Sequence, residues 1–151
     1  MTDHFNNRIE NTSLIRNQAY INGAWVIGTK TIPVTNPSTA DVLGDIPDMG
    51  KEDAVKAIRA ADAALPEWSA RLASERGALL ARWAQLMCDN KQDLAAIMTL
   101  EQGKPLHESL GEIDYATGFL RWYAEEGQRA YGRTMPTHVA NSKIIISKHP
   151  I

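Results

Sequence analysis

The chain has 151 residues, of which 44% are apolar, and its formal net charge is −2 at pH 7. This length and apolar content are typical of an ordinary globular domain rather than a disordered tail. The balanced charge argues against a nucleic acid partner, because phosphate binding needs clustered Lys and Arg. No apolar run approaches the ~20 residues of a membrane span, and the polar start lacks a signal-peptide core. We therefore predict a cytoplasmic protein that binds neither nucleic acid nor membrane.

The residue types that most often carry chemistry are sparse. The single cysteine, Cys88, excludes an internal disulfide and lies in an apolar helical run, where a packed thiol is the default. The histidines are His4, His107, His138 and His149, and no pair of them has the i, i+4 spacing of a helical metal site. We predict neither a nucleophile nor a histidine metal site from these residues.

Extended structure is predicted after a polar arm at residues 1–17. Ala19 to Val26 is rich in β-formers and contains the turn signal Asn22-Gly23, which predicts a β-hairpin. Residues 31–35 and 41–46 are predicted to be extended, with a turn between them.

Helical periodicity predicts about four helices between residue 51 and residue 130. The first begins near Lys51, and Pro66 is expected to end or restart it. Ser74 is expected to cap the second. The side of this second helix expected to be apolar comprises Leu79, Leu80, Trp83, Leu86 and Met87.

The remaining elements follow from turn residues and β-branched residues. Asp89-Asn90 separates the second helix from the third, and Gly103 with Pro105 ends the third. The fourth runs from about Leu106 to Ala130, and Ile144 to Ile146 is predicted to be a strand. The chain is thus a helix-rich α/β chain with strands at both ends. Its isolated glycines do not form a dinucleotide-binding turn.

Two groups on the predicted helices have more than one interpretation. Tyr115 and Phe119, with Trp122 and Tyr123 nearby, either pack in a core or an interface or wall an apolar tunnel. Glu101 is suited to a local cap or a salt bridge, and Glu125 with Arg129 is suited to an ion pair at i, i+4.

Four stretches carry a family resemblance, namely Tyr20 to Trp25, Val34 to Thr39, Thr99 to Pro105 and Phe119 to Gly127. In this order and at this spacing they resemble the N-terminus of NAD(P)-dependent aldehyde dehydrogenases. The last stretch is most similar to the succinate-semialdehyde branch of that family.

The resemblance implies a domain layout. Residues 1–17 would be an arm, 18–132 the N-terminal portion of the cofactor-binding domain, 133–149 an oligomerisation ribbon, and 150–151 the re-entry into the cofactor-binding domain. The expected fold is therefore the α/β N-terminal part of the aldehyde dehydrogenase fold. It would contain a β-hairpin, about four helices and the start of the ribbon, with the dinucleotide fold incomplete.

The resemblance also implies a function for a longer parent enzyme. The parent would be a homo-oligomer that oxidises the small-molecule succinate semialdehyde to succinate with NADP or NAD. The family's catalytic and cofactor-binding residues match positions beyond Ile151. We therefore expect an N-terminal fragment that holds none of them, binds no cofactor and is inactive alone. The alternatives are another substrate, such as glutarate semialdehyde or betaine aldehyde, and a free-standing helical interaction module.

Four residues receive roles from the resemblance, and Phe119 is added to them by helical spacing. Tyr115 matches a position on the substrate tunnel of the family, and Phe119 joins it by helical spacing. Glu101 matches a carboxylate that, with the backbone carbonyls of Val34 and Thr35, surrounds a structural monovalent cation in related enzymes. Such oxygen ligands suit a hard cation.

Overall fold

The computed structural model describes residues 8–150, which form four α-helices and six short strands. Residues 1–7 of the predicted arm, which include His4, fall outside this range, as does Ile151. The strands are β1 (Ala19–Ile21), β2 (Ala24–Val26), β3 (Thr31–Thr35), β4 (Val42–Pro47), β5 (Arg133–Pro136) and β6 (Lys143–Ile146). The helices are α1 (Lys51–Ala70), α2 (Ala73–Asp89), α3 (Lys91–Gln102) and α4 (Leu106–Glu126).

The strands of residues 8–150 form three separate antiparallel pairs, β1–β2, β3–β4 and β5–β6. The first is the predicted hairpin. Its turn residues Asn22 and Gly23 have φ of 52° and 76°, the positive values that a tight two-residue hairpin turn requires. The extended stretch predicted at 41–46 pairs with β3, and the register shifts between Val34 and Thr35.

The β3–β4 hairpin packs against the end of α3. Gly103 ends this helix with a left-handed φ of 78°. A Cβ added there would lie 2.6 Å from Cγ of Pro37 in the hairpin loop. The predicted stop at Gly103 is therefore confirmed, and the same glycine leaves room for the loop.

Helices α2 and α4 form the most extensive contact between helices. A Cβ added to Gly77 would lie 2.5 Å from the carbonyl oxygen of Ala124, so the two backbones meet without an intervening side chain. Helix α3 also packs on α4, where the hydroxyls of Thr99 and Ser109 share a hydrogen bond of 2.9 Å. Small residues make these crossings close.

The polar arm is attached to the helices through its described part. Ile9 is buried with Leu43 and Leu100 in one apolar cluster. The carboxylate of Asp93 accepts hydrogen bonds from the backbone N–H groups of Glu10 at 3.0 Å and Asn11 at 2.8 Å. Periodicity could not reveal this docking, because it depends on one apolar residue and one distant carboxylate.

Two predictions about the first two helices were wrong, and a third was right in part. Pro66 lies inside α1 rather than at its end, and residues 61–70 are all exposed, so the carbonyl group that loses its partner reaches water. Ser74 lies within α2, whose first turn is closed by Glu75 accepting a hydrogen bond from the Leu72 N–H at 3.0 Å. Of the side of α2 predicted to be apolar, Leu80 and Met87 are half-buried beside the buried Gly77 and Ala84. Leu79, Trp83 and Leu86 are exposed.

The last part of the fold is a projecting hairpin. Helix α4 ends at Glu126 and continues as a short 3-10 turn to Arg129, one residue before the predicted end. The expected ion pair between Glu125 and Arg129 is present at 3.8 Å. The sequence predicted β6 but missed its partner β5, and every residue of both strands is exposed. Within residues 8–150, no helix combines the length and apolarity needed to cross a membrane.

Candidate functional site

Helix α4 carries a row of exposed aromatic rings, here called the aromatic wall, formed by Tyr115, Phe119, Trp122 and Tyr123. Their spacing of i, i+4, i+7 and i+8 places them on one face of the helix. The rings of Tyr115 and Phe119 meet edge to face, with centroids 4.7 Å apart and planes at 86°. This is a favoured aromatic geometry, so the two rings hold each other in place.

The aromatic wall borders an open cavity of about 490 Å³, which is within the range of ligand pockets. Asp114 and Gly118 complete its lining. A Cβ added to Gly118 would meet nothing within 4 Å, so the space beside this glycine is open. The surface is mainly apolar and offers ring faces and edges to a small molecule.

Asp114 is the one carboxylate among the described residues that line this cavity. The ammonium group of Lys91, at the start of α3, donates to both of its oxygens, at 2.7 and 2.6 Å. Lys91 itself does not line the cavity. The negative charge at the cavity is therefore balanced from the neighbouring helix.

The structure brings Tyr115 and Phe119 together on the cavity, as the tunnel prediction requires. Both rings are exposed, at 71% and 45%, so packing in a core of the described residues does not explain them. Trp122 and Tyr123 join the same surface, and the i+7 and i+8 spacing from Tyr115 was the signal that could have assigned them. Lys91 gave no such signal, because its partner Asp114 is 23 residues away.

A second cavity, of about 250 Å³, contains two of the three residues predicted to surround a cation. Val34 and Glu101 line it together with Arg16 and Asp45, whereas Thr35 is not among its lining residues. Partial burial raises the pKa of Glu101 above its ordinary value, although the residue still reaches solvent. Within residues 8–150, no three His, Cys, Asp or Glu side chains are grouped to hold a metal ion.

Cys88 is half-buried on α2, at the interface with α4. Nη2 of Arg121 lies 3.1 Å from its sulfur and donates to it. The cysteine does not line the cavity of the aromatic wall. Its position fits the predicted packed thiol better than a nucleophile for that cavity.

Residues 25–151 match the aldehyde dehydrogenase family. The chain belongs to this family. It is 50% identical over 146 residues to glutarate-semialdehyde dehydrogenase of Pseudomonas putida, and 48% identical to the NADP(+) succinate-semialdehyde dehydrogenase of Escherichia coli. Each alignment covers 95% of this chain and 30% of the relative.

A solved structure gives the same picture of the aldehyde dehydrogenase fold. Succinate-semialdehyde dehydrogenase from Burkholderia pseudomallei superposes with a TM-score of 0.88 at 47% identity, over 91% of this chain and 29% of that one. The predicted fold class is confirmed, because the four helices and small sheets match the N-terminal part of that fold. The chain spans about 30% of the length of the curated relatives.

The described residues do not fit a nicotinamide cofactor. A dinucleotide site needs a parallel strand, a Gly-rich turn and a helix N-terminus in succession. Strand β4 does lead into α1, but its partner β3 is antiparallel and the connection holds one glycine, Gly50. No residue between 8 and 150 is therefore assigned to cofactor binding.

Proposed function

We propose that residues 1–151 supply the first part of a subunit of an NAD(P)-dependent aldehyde dehydrogenase that oxidises succinate semialdehyde to succinate. In this proposal the aromatic wall forms one side of the path along which the aldehyde reaches the reacting groups. The observation that carries it is the set of four exposed rings around an open cavity in a chain of this family.

The aromatic wall would act on the carbon chain of the substrate. Ring faces and edges pack against methylene groups, exclude water from them and restrict how the aldehyde can turn. Such contacts raise the rate only so far as they hold the reacting carbon in its productive position. The nucleophile, the base and the cofactor-binding groups are proposed to come from residues outside this chain.

We also propose the domain layout that the resemblance implies. Residues 18–132 would open the cofactor-binding domain. Residues 133–149 would be the ribbon through which subunits of a homo-oligomer pair, with an arm at 1–17 and the return to the domain at 150–151. The support is the hairpin β5–β6, whose two strands are exposed along their whole length.

A second candidate substrate is glutarate semialdehyde, which is one methylene longer. The support is the relative of Pseudomonas putida, which is 50% identical and bears this substrate in its name. One methylene changes binding only modestly, so both semialdehydes are candidates for one site. An aromatic surface also suits a quaternary ammonium group, so betaine aldehyde is tested beside them.

The test uses a hybrid enzyme, in which residues 1–151 replace the matching segment of the Pseudomonas putida relative. We expect a higher kcat/KM for succinate and glutarate semialdehydes than for betaine aldehyde or butanal, measured from the absorbance of the reduced cofactor. A hybrid enzyme that folds but prefers betaine aldehyde or butanal would contradict the proposed substrate class.

Tyr115→Ala in the hybrid enzyme tests the role of the aromatic wall. We expect a higher KM or a changed preference between the four- and five-carbon semialdehydes, with unchanged cofactor affinity, because the ring contacts substrate only. Tyr131→Ala is the matched control, since Tyr131 is 70% exposed and Tyr115 is 71% exposed. Equal kinetics in both variants would remove Tyr115 from the substrate path.

A further inference from the structure

The charge of the aromatic cavity depends on a residue outside it. Asp114 lines the cavity, and Lys91 donates from α3 to both of its carboxylate oxygens, at 2.6 and 2.7 Å. The Asp114 side chain is 64% exposed, so its carboxylate also faces the solvent that an incoming molecule crosses. Asp114 is the only charged residue among the described residues that line this apolar cavity.

An unpaired carboxylate at this position would oppose an anionic substrate. Two like charges repel over several ångströms, and more strongly beside a low-dielectric protein wall than in bulk water. A semialdehyde of a dicarboxylic acid carries a carboxylate at its far end and would meet that repulsion. A neutral aldehyde of the same length would not. Lys91 neutralises the carboxylate charge of Asp114.

A purely structural role explains the Lys91–Asp114 pair less well. Exposed ion pairs contribute little to stability. The region between α3 and α4 is also joined elsewhere, because Lys104, just after α3, pairs with Glu112 on α4. Glu112 does not line the cavity, whereas Asp114 does. The two pairs thus share their chemistry and differ in whether the carboxylate faces the cavity.

We propose that Lys91 is a specificity-determining residue that neutralises Asp114 and so lets anionic semialdehydes approach the aromatic wall. The inference rests on the proposed function, because it concerns the same cavity and the same substrates. Lys91 touches no substrate in this account and acts through Asp114.

The experiment compares substrates that differ in charge but not in length, in the hybrid enzyme. Lys91→Met is expected to raise KM for succinate semialdehyde roughly 3- to 10-fold at low salt, and to change KM for butanal by a much smaller factor. Adding salt should reduce the difference, because exposed charges are screened. Lys104→Met is the matched control and is expected to leave the ratio of the two KM values unchanged.

Two further variants keep the test decisive if Lys91→Met folds poorly. Asp114→Asn leaves the positive charge of Lys91 beside the cavity and is expected to lower KM for succinate semialdehyde. The double variant K91M/D114N removes both charges and is expected to restore the original ratio of KM values. A structural role predicts instead that both single variants lower the melting temperature and change both substrates alike.

Each outcome separates the inference from the proposed function. A hybrid enzyme without substitutions that does not prefer semialdehydes to butanal contradicts the proposed function, and the inference with it. A hybrid enzyme that has the preference and keeps it in Lys91→Met and in Asp114→Asn overturns the inference alone. A change of the same size in Lys104→Met also overturns it.

Discussion

Gly103 shows how one residue without a side chain serves two neighbours at once. Its φ of 78° ends α3, and a Cβ added to it would lie 2.6 Å from Cγ of Pro37. Both residues belong to stretches that carry the family resemblance. The resemblance in those stretches therefore reflects backbone geometry, at least in part, rather than chemistry at an active site.

We expect Gly103→Ala to lower the free energy of unfolding by about 1–3 kcal/mol, because the left-handed conformation is strained for alanine and the new methyl group meets Pro37. Urea unfolding of the chain at low concentration measures the change. Gly111→Ala is the control. Gly111 lies inside α4 with nothing within 4 Å of an added Cβ, so alanine should raise stability there by about 0.5–1 kcal/mol. A Gly103→Ala chain that is more stable than the Gly111→Ala chain would contradict this account.

Glu101 makes stability depend on pH in a defined direction. Burial raises its pKa above the ordinary value of 4.5, so folding favours the protonated form. The stability contributed by this protonation is complete below the ordinary pKa and is lost as pH rises through the folded pKa. Glu101→Gln should therefore be more stable than the original chain at pH 7, and the two should converge in acid.

The proposed cation site can be tested with the same pair of proteins. A bound monovalent cation would offset the cost of the Glu101 charge. At pH 7, potassium chloride should then stabilise the original chain more than an equal concentration of choline chloride, and Glu101→Gln should not distinguish the salts. Melting curves that respond equally to both salts in both proteins would remove the site.

At the scale of elements, some helix limits could be predicted from the sequence, whereas the limits at Pro66 and Ser74 and the packing of α2 could not. The breaks at Asn90 and Gly103 follow from local chemistry, and both are present. The predicted face of α2 was right only in part, because periodicity follows large apolar residues, whereas the close crossing with α4 buries Gly77 and Ala84. Large apolar residues such as Trp83 are exposed, and the sequence pattern does not identify what would cover them.

The projecting hairpin β5–β6 should make the chain associate when it is alone. An exposed strand offers unpaired backbone groups, and its β-branched side chains favour pairing with another copy. Ile145, which is 78% exposed, is the most exposed isoleucine of β6. We expect Ile145→Lys to lower the average mass seen by light scattering at rising concentration.

The control for the hairpin is Val139→Lys, which makes the same kind of change in the connecting turn. Val139 is 55% exposed but belongs to neither strand. Association should persist in this variant. A monodisperse original chain that melts cooperatively would contradict the expectation and favour the free-standing interaction module.

At the scale of the whole molecule, the chain combines the aromatic wall with a single cysteine that does not line its cavity. We expect the purified chain 1–151 to produce no reduced cofactor from succinate semialdehyde with NAD+ or NADP+. Calorimetric titration with NADP+ should show no saturable site. Turnover that disappears on Cys88→Ser would contradict this expectation.

More of the fold than of the candidate site could be predicted from the sequence, and the reason is physical. Capping, turns and periodicity act over a few residues, so hairpins and helices could be assigned from neighbouring positions. The aromatic wall could be assigned in part, because its members share one helix. The Lys91–Asp114 pair and the docking of Ile9 join residues far apart in the chain, and one sequence carries no record of such contacts.

The close contact between Gly77 and Ala124 limits how far α4 can rotate about its own axis. A helix is stiff over the short distance from Ala124 back to the aromatic rings, so it turns about its axis as a single body. Because the backbones of α2 and α4 are in contact at this point, rotation of α4 would bring them into a clash. The contact that sets the direction in which the rings face therefore involves Gly77, which does not line their cavity.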